Sequence, residues 1–594
     1  MPSNDSLARA SGNVKWWKNA NIFQIWPASY KDSNGDGIGD IQGIISTLDY
    51  IKALGVNTIW ISPMYDSPQI DMGYDISDYE SVYPPYGTLD DMDQLIKGCH
   101  DRGMKLLLDL VINHTSDQHK WFQESRSSKT NPKRDWYIWR PAKYDADGNR
   151  QPPNNWMSCF SECAWTWDEH TQEYYLHLFC VEQPDLNWTN EECRREIYRS
   201  AMEFWLEKGV DGFRVDTVNM YSKPMDFPDA PIVDPLSKYQ PAGTLYCNGP
   251  EMHKYLREMA AILARYDAMT VGELPLTPNT KDVLDYVSLK DPQLSMVFQF
   301  DLVDIGRGPV DMMKLTGYKL SALKAIINKW QTFIEGNDGW TTVFSENHDQ
   351  GRSVSRFASD APEHATNSAK LLAMLNTTLT GTMFIYQGQE IGMTNVPKDW
   401  PIEEYLDVGS INYMKLIKEK LEATGASEEE KAKAVHEALL NINAVGRDNA
   451  RTPVQWDSSP HAGFTTGKPW MRVNDNYKKI NAAAQINDPD SVLSFWKRMI
   501  GLRTKHSSLF TFGSFHLLEP ENEQTFSYVK KSAEGDEKAL VVLNFTDQAQ
   551  EFKLPTEDGA NWSLLQGTQP VEDPTSAPLK AYEGRVFVNF GARD

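Results

Sequence analysis

Charged side chains interrupt apolar, strand-like runs at several points of this 594-residue sequence. Arg214 and Asp216 lie two residues apart in GFRVD, so in a strand both point to the same side. Glu273 ends a second run in VGE, and ENHD ends a third with His348 and Asp349. A charged pair at the end of a buried strand is costly unless it is paired or used. By themselves, Arg214 and Asp216 fit a structural ion pair as well as a catalytic one.

Three carboxylates that meet at one place could divide acid and base work. Neighbouring carboxyls push their pKa values apart, so that one stays protonated while another stays ionised. Cleavage of a glycosidic bond requires this division: a nucleophile or base, a proton donor, and negative charge beside an oxocarbenium-like transition state. Asp216, Glu273 and Asp349 therefore predict glycoside chemistry, provided that the fold brings them together.

The alternation of strand-like and helical segments predicts an α/β protein with parallel strands. Eight strands, each followed by a helix, indicate a (β/α)8 TIM barrel, in which polar strand ends gather on one face. The predicted strands are Ile22–Trp26, Thr58–Ser62, Lys105–Asn113, Gly212–Val218, Ala268–Leu274, Met296–Leu302, Thr341–Asn347 and Thr382–Gln387. A doubly wound sheet is the alternative, but no glycine-rich dinucleotide fingerprint follows an early strand.

Two stretches depart from this alternation and predict further domains. Residues 115–188 are too long and irregular for a loop, which predicts a subdomain inserted after the third strand. Residues 512–594 contain short strand-like runs between turns, which predicts a C-terminal antiparallel β-sandwich. The barrel then comprises residues 1–114 and 189–511. The predicted strands of the sandwich are Ser514–Leu518, Gln524–Val529, Ala539–Phe545, Glu551–Leu554 and Arg585–Phe590.

Composition narrows the class of partner. A formal net charge of -23 argues against nucleic acid or an anionic membrane surface, whereas 19 tryptophans and 25 tyrosines suit stacking on sugar rings. No apolar run approaches the roughly 18–20 residues of a membrane span, and the N-terminal residues show no signal-peptide pattern. The six cysteines form no paired C-x-x-C motif, which favours free thiols in a reducing compartment. We expect a cytoplasmic monomer or small homo-oligomer that acts on a small-molecule substrate.

Four motifs in chain order, DLVINH, GFRVD, VGE and ENHD, resemble the signature regions of the α-amylase family of retaining glycoside hydrolases (glycoside hydrolase family 13). QPDLN at residues 183–187 resembles the extra region of its exo-acting branch, which contains the fungal maltases and the oligo-1,6-glucosidases. The resemblance extends from NIFQIWPASY near the start to the terminal sandwich. It implies a TIM barrel, α-glucosidase activity and no cofactor for catalysis.

The resemblance also implies a role for each residue of the site. Asp216 corresponds to the nucleophile that forms a β-glucosyl-enzyme, Glu273 to the general acid/base, and Asp349 to the carboxylate that holds sugar hydroxyls. Arg214 would keep Asp216 ionised. Further residues match a pocket for the non-reducing glucose, and in it the Asp71–Arg447 pair blocks longer chains. The pocket residues are Asp71, Tyr74, His114, Phe179, Gln183, His348, Arg352 and Arg447.

The loop DSNGDGIGD offers oxygen atoms at positions 1, 3, 5 and 9 and a backbone carbonyl at position 7, a set that suits calcium. Position 12 is Gly43 rather than a bidentate glutamate, so the loop is not an EF-hand. A hydrogen-bonded polar turn is the alternative. The resemblance implies a structural Ca2+ or Mg2+ ion. Its ligands would be Asp32, Asn34, Asp36, Ile38 and Asp40.

Thr217, the residue after the predicted nucleophile, bears on which bond is cleaved. The resemblance associates valine here with isomaltose cleavage and threonine or alanine with maltose cleavage; contacts to the leaving sugar contribute roughly 1–3 kcal/mol. Val218 and Asn219 are expected to line the same position. We therefore predict hydrolysis of maltose and short α-1,4-gluco-oligosaccharides, with sucrose as an additional substrate and transglucosylation as a side reaction.

Three alternatives remain open at this point. The first is an oligo-1,6-glucosidase. The second is a mainly transglucosylating or isomerising enzyme, although Leu302–Arg307 does not resemble the arginine-rich loop of the sucrose isomerases. The third, a non-enzymatic transporter heavy chain, is disfavoured because all three carboxylates are present.

Overall fold

The computed structural model describes residues 14–160, 162–235, 237–308, 312–554 and 562–590. The outermost predicted domain limits, residues 1 and 594, lie outside this part of the chain.

Eight parallel strands form one curved sheet in the order β6-β5-β4-β3-β2-β1-β8-β7. These strands are β1 (Asn21–Ile25), β2 (Thr58–Ile61), β3 (Lys105–Leu110), β4 (Gly212–Val215), β5 (Met269–Leu274), β6 (Met296–Gln299), β7 (Thr342–Val343) and β8 (Thr382–Tyr386). The Thr342 hydroxyl donates to the Val297 carbonyl at 3.0 Å and so connects the two end strands of the sheet. The predicted TIM barrel is confirmed.

The strands are apolar on both faces because helices cover the outside and side chains fill the inside. Ile22, Trp60, Leu107, Phe298 and Phe384 come from five strands and pack together as a buried cluster in the barrel. Several strands end earlier than predicted; Gly212–Val218, for example, stops at Val215. The polar residues that follow therefore lie in loops at the carboxyl ends of the strands, where a (β/α)8 barrel places its active site.

The barrel helices follow the predicted alternation. They are Ile41–Ser46, Leu48–Leu54, Leu89–Asp101, Glu191–Ile197, Phe204–Lys208, Met252–Leu263, Thr280–Val287, Leu320–Thr332, Ala365–Thr378 and Val492–Lys505. Thr88 begins one of them with a capping box, and Gly209 ends another at φ 104°, a left-handed conformation that glycine adopts without steric cost. The helical segment from Glu191 to Lys208 contains a π-helical stretch, Tyr198–Glu203. None of the described helices combines the length and apolar composition needed to cross a membrane.

The chain between β3 and β4 contains the helix Lys120–Ser127 and a three-stranded antiparallel sheet. The strands of this sheet are Trp139–Arg140, Glu173–Leu176 and Trp165–Asp168. Its core packs Trp156 and Leu176 against Met220 and Tyr246, which belong to the loop after β4. The inserted segment is therefore anchored beside the strand that carries Arg214.

A five-stranded antiparallel sheet follows the barrel. Its strands are β9 (Ser514–Leu518), β10 (Thr525–Lys531), β11 (Glu537–Asn544), β12 (Ser563–Gly567) and β13 (Gly584–Phe590). The prediction of a strand at Glu551–Leu554 is wrong, and β12 was missed. Phe552 and Leu554 instead pack as irregular chain against Leu540 and Phe587 on one face of the sheet, so their alternating apolar pattern reflects burial without strand pairing.

A helical hairpin projects between β8 and the final barrel helix. It consists of the helices Val408–Ala423 and Glu428–Val445. Ser427 caps its second helix with a capping box to Glu430. Met414, Ala438 and Ile442 form its buried seam, which packs on Val396 and Trp400.

Candidate active site

Arg214 lies at the centre of the site because β4 is paired on one side with β3 and on the other with β5. The register places Arg214 beside Asp109, and its Nη1 donates to Asp109 Oδ1 at 3.1 Å. Nη1 also contacts Asp216 Oδ1, and Nη2 lies 3.0 Å from Glu273 Oε2. One buried guanidinium therefore holds three carboxylates.

The turn after β4 aims Asp216 and is strained. Thr217 has φ 40°, a left-handed conformation that a β-branched residue rarely adopts. Its N–H donates to Glu273 Oε2 at 3.1 Å, and the Tyr221 hydroxyl donates to the Asp216 carbonyl at 2.9 Å. Val218 N–H donates to the Glu273 carbonyl at 3.0 Å. These bonds fix the turn after β4 to the end of β5, which carries the second carboxylate.

Burial separates the protonation states of these carboxyls. It raises the pKa of Glu273 to about 8 and that of Asp216 to about 6, although Arg214 opposes both shifts. Burial also raises the pKa of Asp109 to about 6. At neutral pH Asp216 is therefore mainly ionised and Glu273 mainly protonated, which is the division expected of a nucleophile and an acid.

Asp349 is surrounded by donors instead. Its Oδ1 accepts from Arg451 Nη2 at 3.1 Å and from Arg447 Nη1 at 3.4 Å, and its Oδ2 lies 3.0 Å from His348 Nε2. Burial would raise the pKa of Asp349, but the charges of Arg447 and Arg451, together with the N–H of His348, outweigh burial and hold that pKa below its ordinary value. The Asp349 carboxylate is therefore ionised at all working pH values.

His348 and Tyr74 form a stacked pair, with ring centroids 5.4 Å apart and an interplanar angle of 8°. His348 Nε2 and the Tyr74 hydroxyl share a hydrogen bond of 2.6 Å, and Gln24 Nε2 lies 2.8 Å from His348 Nδ1. Burial lowers the pKa of His348 to about 3, so the imidazole is neutral. With Nδ1 accepting from Gln24, Nε2 is the nitrogen that carries the proton and points toward Asp349.

His114, Phe179, Gln183 and Asp71 form a second wall. Gln183 Nε2 lies 3.2 Å from His114 Nε2 and donates to Asp71 Oδ2 at 3.2 Å, and the Phe179 ring lies 5.0 Å from that of His114. Asp71 Oδ1 accepts from Arg447 Nη2 at 3.2 Å. Eleven of the thirteen predicted catalytic and binding residues thus form one contact network with Arg214, Asp349 or Asp71, and Thr217 joins it through Glu273.

Arg352 is the exception. Its side chain is fully buried, and Nη1 donates to Glu346 Oε1 and to the Gln387 carbonyl, both at 2.7 Å. Nε donates to the Asn449 carbonyl at 3.2 Å. The structure therefore does not support the predicted substrate contact. Arg352 lies behind the pocket, because its donors bind acceptors of the protein itself.

Val218 and Asn219, which were expected to line the leaving-group position, are both fully buried. Asn219 Nδ2 donates to the Pro275 carbonyl at 2.7 Å and so connects the loops after β4 and β5.

Three charged residues of the network were missed: Asp109, Arg451 and Asp407. Asp109 lies in the quoted motif DLVINH, and Arg451 follows Arg447 by four residues in GRDNAR, so their charged character was a usable signal. Asp407 has no local signal, because it lies about 40 residues from either arginine that it contacts.

The loop from Asp32 to Asp40 is organised by its own side chains. Asp32 accepts N–H groups from Asn34, Gly35 and Gly37, and Asp40 accepts from the N–H of Ser33 and caps the helix that begins at Ile41. All of the predicted ligand atoms are oxygen, which fits a hard cation. Within the described residues, however, no group of three or more His, Cys, Asp or Glu side chains is arranged to hold a metal.

Comparison with known proteins agrees with this geometry. The family model described as "Alpha amylase, catalytic domain" matches residues 24–511, and "Maltogenic Amylase, C-terminal domain" matches residues 515–593. An α-glucosidase of Candida albicans is 54% identical over 97% of this chain and 99% of its own. An oligo-1,6-glucosidase of Saccharomyces cerevisiae is 46% identical over 98% of this chain and 99% of its own.

A solved structure, the trehalose-6-phosphate hydrolase of Bacillus licheniformis, superposes with a TM-score of 0.86 at 40% identity, covering 97% of this chain and all of that one. Sequence motifs, barrel, site geometry and full-length similarity thus agree. The chain belongs to the alpha-amylase family of glycoside hydrolases.

Proposed function

We propose that this protein is a retaining, exo-acting α-glucosidase that releases glucose from the non-reducing end of maltose and short α-1,4-gluco-oligosaccharides. The observation that carries the proposal is the Arg214 guanidinium, which contacts Asp216 through Nη1 and Glu273 through Nη2. One guanidinium spans the two carboxyls, so they lie close together. An inverting enzyme needs them roughly 6.5–9.5 Å apart to admit a water, so this spacing supports retention.

The chemistry follows from the two protonation states. Asp216, ionised beside Arg214, attacks the anomeric carbon while Glu273, protonated because of its burial, gives its proton to the leaving oxygen. The bond to the leaving sugar breaks as the bond to Asp216 forms. Glu273, now ionised, then takes a proton from water, which displaces Asp216 and releases glucose. Asp349, held ionised, stabilises the positive charge of each transition state.

Exo action is supported by the closed end of the pocket. Arg447 donates to Asp71 at 3.2 Å and approaches Asp349 at 3.4 Å, so this pair occupies the space that a further sugar would need. Tyr74, His114 and Gln183 complete the wall around one glucose unit. A polymer could enter only by its end.

The linkage preference rests on Thr217. Its position after the nucleophile supports maltose as the main substrate, with sucrose as an additional one and with transfer to sugar acceptors as a side reaction of the covalent intermediate. The 54% identical relative carries the name alpha-glucosidase, and the 46% identical relative carries the name oligo-1,6-glucosidase. An isomaltose-preferring enzyme of the same mechanism is the second candidate.

The purified protein incubated separately with maltose, isomaltose and sucrose tests the proposal. We expect release of α-glucose, fastest from maltose, and none from the Asp216→Asn variant. Faster release from isomaltose would favour the second candidate. No glucose from any of the three would overturn the hydrolase assignment.

We also propose that the loop from Asp32 to Asp40 takes a structural Ca2+ or Mg2+ through the oxygens of Asp32, Asn34, Asp36 and Asp40 and the carbonyl of Ile38. The support is the all-oxygen set of three carboxylates within nine residues. An added chelator should then lower the midpoint of thermal unfolding, and Ca2+ should restore it. An Asp36→Asn variant should respond less to either addition, whereas identical melting curves with and without chelator would refute the site.

We place the protein in the cytoplasm, because all six cysteines are free thiols, four of them buried, as expected in a reducing compartment. Fractionation of the native cells with a specific antibody would test this location.

A further inference from the structure

Asp407 belongs to none of the family motifs, yet it contacts the pocket. Its side chain is 1% exposed. Oδ1 accepts from Arg447 Nε at 2.8 Å and lies 2.6 Å from Arg447 Nη2. The same oxygen accepts from Arg451 Nη1 at 3.1 Å. A single carboxylate oxygen thus holds two arginines whose α-carbons are one helical turn apart.

These two arginines also contact the carboxylates that face the glucose pocket. Arg447 donates to Asp71 at 3.2 Å and to Asp349 at 3.4 Å, and Arg451 donates to Asp349 at 3.1 Å. Two cations are therefore shared among three carboxylates. Those carboxylates can accept sugar hydroxyls only while some of their lone pairs stay free of the guanidinium groups.

The helical hairpin fixes Asp407 from both of its ends. Oδ2 caps the first helix by accepting from the N–H of Gly409 at 3.1 Å and of Ser410 at 3.4 Å. Asp448, just beyond the second helix, accepts from the N–H of Leu406 at 2.6 Å and of Asp407 at 2.9 Å. The position of the Asp407 carboxylate is thus set by the hairpin rather than by the arginines.

We propose that Asp407 is the positioning residue of the arginine pair, holding Arg447 and Arg451 back so that Asp71 and Asp349 keep free oxygen lone pairs for the hydroxyls of the glucose unit. Without it, both guanidinium groups would close fully onto Asp71 and Asp349 and compete with the substrate. Asp407 itself contacts no substrate. This role rests on the proposed glucosidase function and explains why a hairpin of two exposed helices begins and ends at the pocket.

The test is Asp407→Asn, which keeps the shape of the side chain and one acceptor oxygen but removes its charge. We expect KM for an aryl α-glucoside and the inhibition constant of glucose to rise about 10-fold or more, since charge-assisted hydrogen bonds to buried arginines are the strong ones. Asp407→Glu keeps the charge but moves the arginines, so the same two constants should rise while kcat changes less.

The matched control is Ser427→Ala, which removes the capping box at the opposite end of the hairpin and contacts neither Asp407 nor either arginine. We expect it to lower the midpoint of thermal unfolding but to leave KM and the inhibition constant of glucose within about 3-fold of the wild-type values. Combining Asp407→Asn with Arg451→Met should give much less than the sum of the two single effects, because Asp407 acts through that arginine.

Wild-type constants in both Asp407 variants, or losses that follow thermal stability equally in Asp407→Asn and Ser427→Ala, would overturn the role of Asp407. Failure of the proposed function is a separate result: the wild-type protein would then neither release glucose nor be inhibited by it. An active wild-type enzyme with insensitive Asp407 variants removes only the positioning role.

Discussion

At the scale of single residues, the protein uses one arginine to keep two carboxyls close, and burial together with neighbouring charges to separate their pKa values. Arg214 contacts both Asp216 and Glu273, so the charge of Arg214 cannot by itself explain why one is ionised and the other protonated. Burial raises both pKa values. At Glu273 the charges of Asp216 and Asp349 add to the rise, whereas at Asp216 the direct hydrogen bond from Arg214 opposes it, so the pKa is about 8 for Glu273 against about 6 for Asp216.

These pKa values predict the pH dependence of kcat/KM. The reaction needs Asp216 ionised and Glu273 protonated, so the rate should rise as pH increases through about 6 and fall as it increases beyond about 8. A pH profile on maltose checks this. In Glu273→Gln, assayed with an aryl glucoside whose leaving group needs no acid, the alkaline limb should vanish and the acid limb remain. An alkaline limb that persists in this variant would assign it to another group.

Replacement of Asp216 by asparagine separates catalysis from structure. Burial raises the pKa of Asp216, so its ionised form destabilises the folded protein near neutral pH, and an uncharged isostere should not lower stability. We expect activity to fall by at least about 10³-fold, since the covalent step is lost. Thermal unfolding should stay at or above the wild-type temperature. A loss of stability as severe as the loss of activity would instead support the interpretation of Arg214 and Asp216 as a structural ion pair.

At the scale of elements, the turn after β4 contains Thr217, which has a strained backbone and is also the residue on which the predicted linkage preference rests. Thr217 is held at φ 40° by its N–H bond to Glu273, and its hydroxyl lies 3.3 Å from Asp216 Oδ2. The strain is borne by the backbone, so valine, which has the same shape, should tolerate the turn equally well.

Thr217→Val should therefore change the preferred linkage without unfolding the protein. We expect the ratio of kcat/KM for isomaltose to that for maltose to rise about 10-fold, which corresponds to roughly 1.4 kcal/mol at the leaving sugar. Kinetics on both disaccharides measure the ratio, and thermal unfolding within a few degrees of wild type serves as the control. An unchanged ratio would show that linkage is read elsewhere in the pocket.

At the scale of the whole molecule, the C-terminal sheet is joined to the barrel partly through buried cations. Lys530 in β10 is fully buried and donates to the Gly513 carbonyl at 2.9 Å and to the Thr380 hydroxyl. Arg503, 2% exposed, donates to the carbonyls of Thr377 at 3.0 Å and Leu379 at 2.6 Å. Burial lowers the pKa of Lys530 well below its usual value, and Arg503 lowers it further.

Lys530→Met should consequently keep or raise the unfolding temperature at pH 7. Methionine fills a similar volume, and Gly513 O still accepts from Thr380, so no acceptor is orphaned. Because folding depresses the pKa of Lys530, the wild-type protein gains stability as pH rises toward the unfolded-state pKa of about 10.4, and any advantage of the variant should shrink between pH 6 and 9. Melting curves across this range check it; a drop of many degrees at every pH would show that the lysine's hydrogen bonds outweigh its burial.

Much of this architecture can be predicted from the sequence, because strands and their ends are local features. Apolar runs of five or six residues predict barrel strands, and the polar residues that follow predict the face on which Asp216, Glu273 and Asp349 gather. The strand prediction at Glu551–Leu554 was wrong, because the alternating pattern there reflects burial against the sheet and not pairing within it. Hydrogen-bonding partners of a strand lie elsewhere in the chain, and a short pattern does not encode them.

The sequence by itself determined which side chains could perform glycoside chemistry and in what order along the barrel they appear. Only the tertiary structure decided how their charges are paired. Arg214 contacts three carboxylates, Arg352 is buried behind the pocket, and Asp407 contacts the arginine pair. The physical reason is that burial and ion pairing depend on closure of the barrel, which joins residues as far apart as Asp71 and Arg447. No local spacing specifies the burial and the neighbouring charges that together separate the acid from the nucleophile.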